Sequence, residues 1–441
     1  MSLAAQGATP LAGGTRLLAA PVEIPNVLDL GALDLRGMRT EDEDLVLGSM
    51  TTLQEVIDSP STYQATGGLL PEACRSQSAS RMLRGMATLG GESVHGAHDS
   101  EVAAALLALN AVYVISHPAE KRESPALRFL RNPVEDLAGG GIVTSIVIPG
   151  APDGAALERA AVAPSAPPLL SVAVTVTFAG EHCSRARIAV AALEGHPARV
   201  LEAEAAVERT ACDEEALARS AEQVSIRAPF REDGHASASY RRKVAGVLAL
   251  RALRRAVDGA RRRVPLALPR LRPPHPQRAL AGLPYFTSGR IEVSVNGQPL
   301  RAEVEARTSL LELLRREGFV GPKDGCGTGE CGACVVLLDG RPVSSCLTLA
   351  VRAQGRSVQT SDAFAAADSL HPLTAAFVET GAIQCGFCAP AMQLCARFLL
   401  EAVPEPTEEE VRDALAGCLC RCTGYVKPVE AVMRAARGKR S

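Results

Sequence analysis

The chain has 441 residues, of which 47% are apolar, and its 47 basic and 49 acidic residues give a formal net charge of −2. At about 150 residues per domain this length predicts about three domains, each with enough apolar residues for its own core. A disordered or fibrous chain is therefore excluded. The chain has no tryptophan and only 3% aromatic residues, so it has neither the basic surface nor the stacking surface that binding to nucleic acid requires.

The thirteen cysteines are unevenly distributed along the chain. Ten of them lie between Cys326 and Cys422, and only Cys74, Cys183 and Cys212 come earlier. Residues 1–14 have neither the basic nor the apolar segment of a secretory signal, and no apolar run reaches the ~20 residues of a membrane span. We therefore expect a cytoplasmic protein without a membrane span, in which closely spaced cysteines bind metal instead of forming disulfides.

Strand-like and helix-like segments alternate over the first 260 residues. Residues 45–47 and 172–178 are strand-like, and residues 101–109 and 240–257 are helix-like, which predicts an α+β fold. Polar and apolar residues alternate over 172–178 as in a strand with one buried face. A break near residues 149–153 separates a front domain, 1–150, from a back domain, 151–260.

A proline-rich segment with clustered arginines separates this region from the rest of the chain. It reads RRRVPLALPRLRPPHPQRALAGLP over residues 261–284. Prolines at this density do not sustain a helix, and charge runs are usually solvated. We interpret residues 261–288 as a solvated, semi-rigid linker between two modules.

The region after the linker begins with a predicted hairpin. Apolar residues alternate from Ile291 into Asn296-Gly297, a strong turn signal, and alternate again on the return strand. A capping box, Ser309 with Glu312, precedes a short helix. Residues 289–365 are therefore a small sheet-plus-helix domain, and residues 366–441, which become helical from position 372 onward, are a helical domain.

The first cysteine motif is CGTGECGAC, which begins at Cys326 and is followed by a distant fourth cysteine, Cys346. This C-x4-C-x2-C spacing is that of plant-type [2Fe–2S] proteins. Its glycines allow a tight loop whose amides point at sulfur, and a hairpin after Cys334 can return Cys346 to the loop. A structural zinc site is disfavoured here, because zinc prefers shorter paired spacings.

The second motif consists of Cys385 and Cys388, followed after 31 residues by Cys420 and Cys422. Cys418 and Cys420 form an equally good C-x-C pair, so spacing alone leaves the ligand set open, and it leaves zinc open as well. Among the remaining cysteines, Cys395 shares a helical face with Cys388 and is predicted to belong to the core. We interpret Cys74, Cys183 and Cys212 as isolated structural residues.

The segment 290–436 resembles the iron–sulfur module of the molybdenum hydroxylases, which include xanthine dehydrogenase, aldehyde oxidoreductase and aerobic carbon monoxide dehydrogenase. The motifs that carry the resemblance are CGTGECGAC, QCGFCAP and CRCTGY. It implies a β-grasp ferredoxin domain, a helical bundle with a second [2Fe–2S] cluster, and Gln384 facing the pterin of a partner subunit. The implied ligands are Cys326, Cys331, Cys334 and Cys346 for one cluster and Cys385, Cys388, Cys420 and Cys422 for the other.

Residues 8–258 resemble the FAD-binding subunit of the same family, with a two-part, PCMH-like fold. The resemblance is carried by AGGT at residue 12, GMATLGG at residue 85, Ser-Glu at residue 100 and SYRR at residue 239. Both glycine segments follow apolar runs and would let backbone amides approach a pyrophosphate. The implied FAD-binding residues are Ala12, Gly13, Gly14, Thr15, Thr88, Leu89, Gly90, Gly91, Ser100 and Glu101.

The chain departs from the family pattern at several positions. It begins only about ten residues before the first glycine loop, so the flavin domain is expected to be shortened at its N-terminus and its flavin more exposed. Glu92 stands where asparagine is usual and would repel a pyrophosphate. Glu101 stands where aspartate is usual, which keeps the carboxylate acceptor but places it on a longer side chain. Ala391 replaces a glycine, with little expected consequence.

The resemblance implies an electron-transfer subunit without catalytic residues of its own. A large molybdopterin-binding partner would hydroxylate the substrate, and electrons would pass through the two clusters to FAD and then to an acceptor. The implied assembly is a dimer of heterodimers. Two alternatives stay open, namely a freestanding flavin and iron–sulfur reductase, and a cluster-bearing redox sensor that has lost flavin.

Overall fold

The computed structural model describes residues 4, 6–20, 23–163, 166–262, 285–365 and 370–438. Within these residues the strands, numbered along the chain, are β1 (Thr9–Leu11), β2 (Val27–Asp29), β3 (Met38–Glu41), β4 (Asp44–Gly48), β5 (Val112–Ser116), β6 (Lys121–Pro125), β7 (Ile142–Ile148), β8 (Gly154–Ala160), β9 (Leu170–Ala179), β10 (His182–Ala191), β11 (Ala198–Arg199), β12 (Tyr285–Phe286), β13 (Ser288–Val295), β14 (Gln298–Glu305), β15 (Val335–Leu338), β16 (Arg341–Ser344) and β17 (Ser357–Gln359).

Helices accompany these strands in both halves of the chain. They are α1 (Leu53–Asp58), α2 (Pro60–Thr66), α3 (Leu69–Gln77), α4 (Arg81–Met86), α5 (Leu89–His95), α6 (Glu101–Ala108), α7 (Ala126–Phe129), α8 (Pro133–Leu137), α9 (Leu201–Val207), α10 (Glu214–Arg227), α11 (Ala238–Arg262), α12 (Leu310–Arg316), α13 (Pro372–Glu379), α14 (Ala389–Ala402), α15 (Glu408–Leu415) and α16 (Val426–Gly438). Across the described residues, none of these helices has the length and apolarity needed to traverse a bilayer. The mixture of helices and sheets confirms the predicted α+β fold.

The chain divides into two compact units that do not follow its linear order. The first unit comprises Met1–Gly7, Leu35–Ser78 and Thr88–Leu271, and the second comprises Ala8–Asp34, Ala79–Ala87 and Arg272–Ser441. In the first unit, an antiparallel five-stranded sheet has the order β3-β4-β7-β5-β6. Helix α1 starts at a capping box formed by Thr52 and Glu55, and helix α3 packs between α1 and α6.

The other sheet of the first unit, β11-β10-β9-β8, corrects one prediction. The segment 172–178 does form a strand, β9, but its residues from 170 to 176 are buried on both faces. Val172, Val174 and Val176 share a core with α11. On the other face, Thr175 donates a hydrogen bond to the carbonyl of Ala108 at 2.8 Å. The small and polar residues of this face therefore contact helix α6 instead of solvent.

The second unit contains the predicted β-grasp sheet, with strand order β14-β13-β17-β15-β16. Strands β13 and β14 are antiparallel, with Val295 opposite Gln298. Asn296 and Gly297 both have positive φ, 51° and 84°, as the two central residues of such a turn require. Ser309 caps helix α12 by accepting a hydrogen bond from the amide of Glu312 at 3.1 Å. The predicted hairpin and helix start are therefore confirmed.

Residues 8–34 and 79–87, which the sequence grouped with the front domain 1–150, pack in the second unit. Strand β1 pairs in parallel with β2, and β12 pairs with β2 antiparallel. Leu11 and Val27 lie in the same core as Phe286 of β12 and Ile291 of the β-grasp sheet. The apolar residues of this early segment are buried by residues about 270 positions later, which a local pattern does not reveal.

The helical part of the second unit consists of α13 to α16. Phe377, Met392, Leu399 and Val432 belong to its core, and helix α15 starts at a complete capping box of Thr407 and Glu410. The predicted linker 261–288 falls mostly on residues 263–284, outside the described part of the chain. Its first two residues end helix α11, and residues 285–286 form β12.

Candidate functional site

The first set of cysteines lies on the loop between α12 and β15 and on the short 3-10 helix Ser345–Leu347. The hairpin β15–β16 turns at Asp339 and Gly340, both with positive φ, and returns Cys346 toward Cys334. The four thiols form two pairs: Cys326 is hydrogen-bonded to Cys331, and Cys334 to Cys346. The hydroxyl of Ser344 lies 3.2 Å from the sulfur of Cys334 and 3.4 Å from that of Cys346.

Backbone amides point at sulfur in this loop, as the sequence predicted. The amides of Thr328 and Cys331 each donate a hydrogen bond to the sulfur of Cys326 at 3.4 Å. Burial raises the pKa of Cys326, but a hydrogen bond with the Thr328 side chain, the two amides and the Cys331 side chain outweigh it and lower that pKa to about 7. The hydrogen bond from Cys346 lowers the pKa of Cys334 to about 6. Both effects favour thiolate, the form that binds iron.

The second set lies where two helices begin. Cys388 is the N-cap of α14, and Cys420 and Cys422 lie between α15 and α16. These thiols are also paired, Cys388 with Cys420 and Cys385 with Cys422. The amides of Cys422 and Thr423 each donate to the sulfur of Cys420 at 3.4 Å.

The pKa values within the second set differ in direction. Burial, followed by the hydrogen bond with Cys420, raises the pKa of Cys388 to about 12. Burial also acts to raise the pKa of Cys420, but hydrogen bonds from Thr423 and Cys422 lower it to about 7. The thiolate of this pair therefore forms first at Cys420, the residue that receives the backbone amides.

Each set therefore fits a two-iron cluster. In a [2Fe–2S] cluster held by four cysteines, each iron takes two thiolates. Two separate pairs suit that arrangement, and amide donors stabilise the sulfur charge. Among the described residues, no group of three or more histidine, cysteine or acidic side chains is gathered closely enough to hold a single metal ion. The paired thiols and the amide donors thus suit a two-iron cluster in each set.

The remaining cysteines mostly contact one another. Cys418 lies with its sulfur 3.7 Å from that of Cys395, and both are buried in the helical core, as predicted for Cys395. In the first unit, Cys183 and Cys212 share a hydrogen bond. The prediction that these two are isolated is therefore wrong. The amide of Cys183 donates to the carbonyl of Thr210, and this backbone contact brings Cys183 close to Cys212 although the two are distant in sequence.

The first glycine loop, Ala12 to Thr15, lies in the second unit. Among the described residues, the amides of Gly13, Gly14 and Thr15 donate no hydrogen bond. A Cβ on Gly13 would lie 2.1 Å from the carbonyl oxygen of Met86, so glycine is required at this position. Free amides in a tight turn are the donors that a pyrophosphate needs. These residues therefore fit the flavin that the sequence predicted.

The second glycine segment lies in the first unit and is more regular than predicted. Thr88 is the N-cap of α5, and Leu89, Gly90 and Gly91 form the first turn of that helix. Their amides bond to the carbonyls of Thr51 and Ser49 and to the hydroxyl of Thr88. A Cβ on Gly90 would lie 2.8 Å from the Cβ of Ser49. Gly90 thus lets helix α5 pack closely against Ser49, the residue after strand β4. The amides of Leu89, Gly90 and Gly91 are already hydrogen-bonded within the protein.

The acidic residues predicted near the flavin are buried. Glu92 accepts a hydrogen bond from Ser100 at 3.1 Å, and Ser100 caps helix α6. Glu101 is fully buried and accepts from Ser171 at 2.6 Å and from Arg159 at 3.0 Å. Burial raises the pKa of Glu101, and these two partners oppose the shift. Gln384, predicted to face a pterin, is exposed beside Cys385.

Four family models cover most of the chain. They are the FAD binding domain in molybdopterin dehydrogenase over residues 1–151, the CO dehydrogenase flavoprotein C-terminal domain over 156–256, the 2Fe-2S iron–sulfur cluster binding domain over 293–360 and the [2Fe-2S] binding domain over 360–433. The chain therefore contains an FAD-binding domain and two [2Fe–2S]-binding domains.

Relatives found by sequence match about a third of the chain. The nicotine 6-hydroxylase small subunit of Paenarthrobacter nicotinovorans is 49% identical over 33% of this chain and 88% of its own length. The xanthine dehydrogenase iron–sulfur-binding subunit of Escherichia coli O157:H7 is 42% identical over 32% of this chain and 91% of its own.

Solved structures match a larger share of the chain at lower identity. Carbon monoxide dehydrogenase from Hydrogenophaga pseudoflava matches with a TM-score of 0.54 and 27% identity over 58% of this chain and 92% of its own. The enzyme from Oligotropha carboxidovorans matches with a TM-score of 0.51 and 29% identity over 56% of this chain and 89% of its own. The chain belongs to the molybdenum hydroxylase family, as an oxidoreductase subunit with an FAD-binding module and a [2Fe–2S] module on one polypeptide.

Proposed function

We propose that the protein is the electron-transfer subunit of a molybdenum hydroxylase and carries electrons from a partner's molybdenum centre to FAD and on to an acceptor. The clusters and the flavin supply the redox chemistry, in the order second cysteine set, first cysteine set, flavin. The chain supplies distance, orientation and the hydrogen bonds that tune the cluster potentials.

One observation carries this order: the loop of the first cysteine set contacts both of its proposed neighbours. The amide of Leu419, next to Cys420, donates to the carbonyl of Cys331 at 2.9 Å. A Cβ on Gly332 would lie 2.1 Å from the carbonyl oxygen of Gly417, so only glycine permits this approach. The first set is therefore adjacent to the second through backbone atoms.

The other neighbour of the first set is the first glycine loop. A Cβ on Gly14 would lie 3.3 Å from the carbonyl oxygen of Leu347, the residue after Cys346. Gly14 also has a positive φ of 80°. Contacts of the first set with both the second set and the flavin loop support its role as the intermediate carrier.

The surface around the second set suits a protein partner. The thiols of Cys385 and Cys422 are exposed, and the large apolar side chains of Phe387 and Leu419 are exposed within one or two residues of cluster ligands. Exposed apolar groups beside a redox site are typical of a docking surface. We propose that a large molybdopterin-binding subunit covers them, with Gln384 toward its pterin, in a cytoplasmic dimer of heterodimers.

Co-purification of the full-length chain from its own host tests the proposal. We expect a large molybdenum-containing subunit to co-purify, with about four iron atoms per chain, as two [2Fe–2S] clusters require, and bound FAD. One compound of the types named for the relatives, such as xanthine, nicotinate, nicotine, an aldehyde or carbon monoxide, should bleach the cluster absorption, and only when that subunit is present. An isolated chain that oxidises NADH with an artificial acceptor would favour the freestanding reductase. A flavin-free chain with intact clusters would favour the sensor.

A further inference from the structure

Arg352 links the cluster-binding domain to the first glycine loop. It lies on the short 3-10 helix Ala350–Ala353. Its guanidinium forms a two-pronged ion pair with Asp29, with Nε donating to Oδ2 at 2.9 Å and Nη2 donating to Oδ1 at 2.6 Å. The same Nη2 donates to the carbonyl of Leu11 at 3.2 Å and to that of Ala12. The side chains of Arg352 and Asp29 are 14% and 9% exposed.

The contact with Ala12 determines the direction of the next amide. A trans peptide is planar, so the carbonyl of Ala12 and the N–H of Gly13 point in opposite directions. Because Arg352 binds that carbonyl, the N–H of Gly13 is turned away from Arg352. This is one of the amides that donate no hydrogen bond within the described residues.

The charge of Arg352 is not available to a phosphate. Asp29 neutralises it at short distance, and Asp29 also accepts a hydrogen bond from the amide of Gly31 at 2.9 Å. Arginine suits this position because its planar fork can bind a carboxylate and a carbonyl at once, which a lysine ammonium on a flexible stem does less well. The effect of Arg352 on a bound anion is therefore one of orientation.

We propose that Arg352 is a positioning residue for the flavin: it fixes the Leu11 and Ala12 carbonyls so that the Gly13 amide faces the FAD pyrophosphate. This inference rests on the proposed function in one respect, namely that residues 12–15 bind FAD. It adds that a residue of the cluster-binding domain, six positions after Cys346, controls how tightly the flavin is held.

Arg356 provides a matched control on the same segment. Its Nε donates to Asp339 at 2.7 Å, and the two side chains are 19% and 16% exposed. The ion pair resembles that of Arg352 in type and burial, but it uses Nε instead of a two-pronged contact and ties the β15–β16 turn instead of the flavin loop. Nη1 of Arg356 also donates to the backbone carbonyl of Arg352 at 3.3 Å. Loss of either pair removes similar electrostatic stabilisation from the same domain.

The test compares full-length Arg352→Met, Arg352→Lys and Arg356→Met with the wild type. We expect Arg352→Met to raise the dissociation constant of FAD at least tenfold and to speed FAD release, followed by the rise in flavin fluorescence on dilution. Arg352→Lys keeps the charge but not the planar fork, so its FAD dissociation constant should lie between those of the wild type and Arg352→Met. Iron content and the visible circular dichroism of the clusters should match the wild type in all variants, and Arg356→Met should keep wild-type FAD release.

Two outcomes would overturn the inference. One is wild-type FAD release by Arg352→Met. The other is equal acceleration in Arg352→Met and Arg356→Met in proportion to their loss of thermal stability, which would make Arg352 an ordinary structural residue. A wild-type chain that binds no FAD at all would instead overturn the flavin part of the proposed function, and this inference with it.

Discussion

At the scale of single residues, the cysteines differ in what surrounds their sulfur. The eight proposed ligands lie on loops or helix starts, and Cys326 and Cys420 each receive two backbone amides. Cys395 and Cys418 instead lie within a helical core, among apolar side chains. Amide donors stabilise a thiolate, whereas an apolar core stabilises a thiol. The surroundings of the sulfur therefore separate ligand from core cysteine where spacing does not.

This difference predicts opposite results for two neighbouring cysteines. Cys422→Ser should abolish one of two low-temperature paramagnetic signals of the reduced protein, because it removes a proposed ligand of the second cluster. Cys418→Ala should retain both signals and lose only the stability that a buried contact contributes, about 1 kcal/mol. Two remaining signals in Cys422→Ser, or one in Cys418→Ala, would contradict the proposed ligand set.

His98 predicts a pH dependence in the first unit. Its Nε2 faces Arg231, which can only donate, so the ring must be neutral to accept. Burial lowers the pKa of His98, Arg231 and Arg241 add to this effect, and Asp99 and Asp233 oppose it. Because the native pKa lies below the unfolded value of about 6.5, the unfolded chain binds the proton first as pH falls, and stability decreases from near pH 7 downward.

The measurement is the free energy of unfolding of the first unit from pH 7.5 to 5.5. His98→Gln should flatten the decrease seen in the wild type, since glutamine can accept from Arg231 without titrating. His235→Gln, at an exposed position of the same unit, should keep the wild-type profile. Parallel profiles for wild type and His98→Gln would show that His98 does not control this dependence.

At the scale of elements, helices α4 and α15 of the second unit are joined by a buried charge cluster. Asp413 of α15 accepts from Arg84 at 2.6 Å and from Arg81 at 2.7 Å. Arg84 is almost fully buried, and Asp413 is 23% exposed at its side chain. Burial opposes ionisation of Asp413, but the two arginines outweigh it and lower its pKa. Asp413 therefore neutralises charge from both arginines.

Asp413→Asn should consequently be far more destabilising than loss of a surface ion pair. Removing one partner of a buried pair leaves an uncompensated charge and costs about 3–5 kcal/mol. Glu408→Gln on the same helix breaks the exposed pair with Arg412 and should cost less than about 1 kcal/mol. Urea unfolding at neutral pH measures both. Similar midpoints for the two variants would refute a structural role for the cluster.

Local sequence patterns predicted the turns and helix starts correctly, because residues close together in the chain determine these structures. The Asn296-Gly297 turn and the helix start at Ser309 involve residues within a few positions of one another, and both are confirmed. The burial of both faces of β9 depends on helices far away in sequence, so alternation alone suggested one exposed face. The contact of Cys183 with Cys212 was missed for the same reason, because nothing between them signals a return of the chain.

At the scale of the whole molecule, each of the two compact units consists of several separate segments of the chain. The order of the motifs suggested a flavin half, residues 1–260, followed by an iron–sulfur half, residues 289–441. The packing instead groups Ala8–Asp34 and Ala79–Ala87 with the C-terminal region. Cysteine spacing could predict the first cluster, because three of its proposed ligands, Cys326, Cys331 and Cys334, lie on one short loop. The location of the first glycine loop could not be predicted, because it depends on apolar contacts between distant segments.

This arrangement predicts that a mutation near the N-terminus destabilises the iron–sulfur unit. Leu11 is 1% exposed in a core with Phe286, Ile291 and Leu310. Leu11→Ala should therefore cost about 2–5 kcal/mol and lower the temperature at which the cluster absorption is lost. Leu33→Ala, in the same segment but 45% exposed, should change stability by less than about 0.5 kcal/mol.

Hydrogen exchange measured by mass spectrometry locates the effect of Leu11→Ala. Protection should fall in peptides of β13 and β12, which share the core with Leu11, and stay unchanged in β9 and β10 of the first unit. A protein whose N-terminal segment belonged to the flavin half would show the reverse. Loss of protection confined to β9 and β10 would therefore contradict the grouping of residues 8–34 with the iron–sulfur unit, since destabilisation follows the core that loses the side chain.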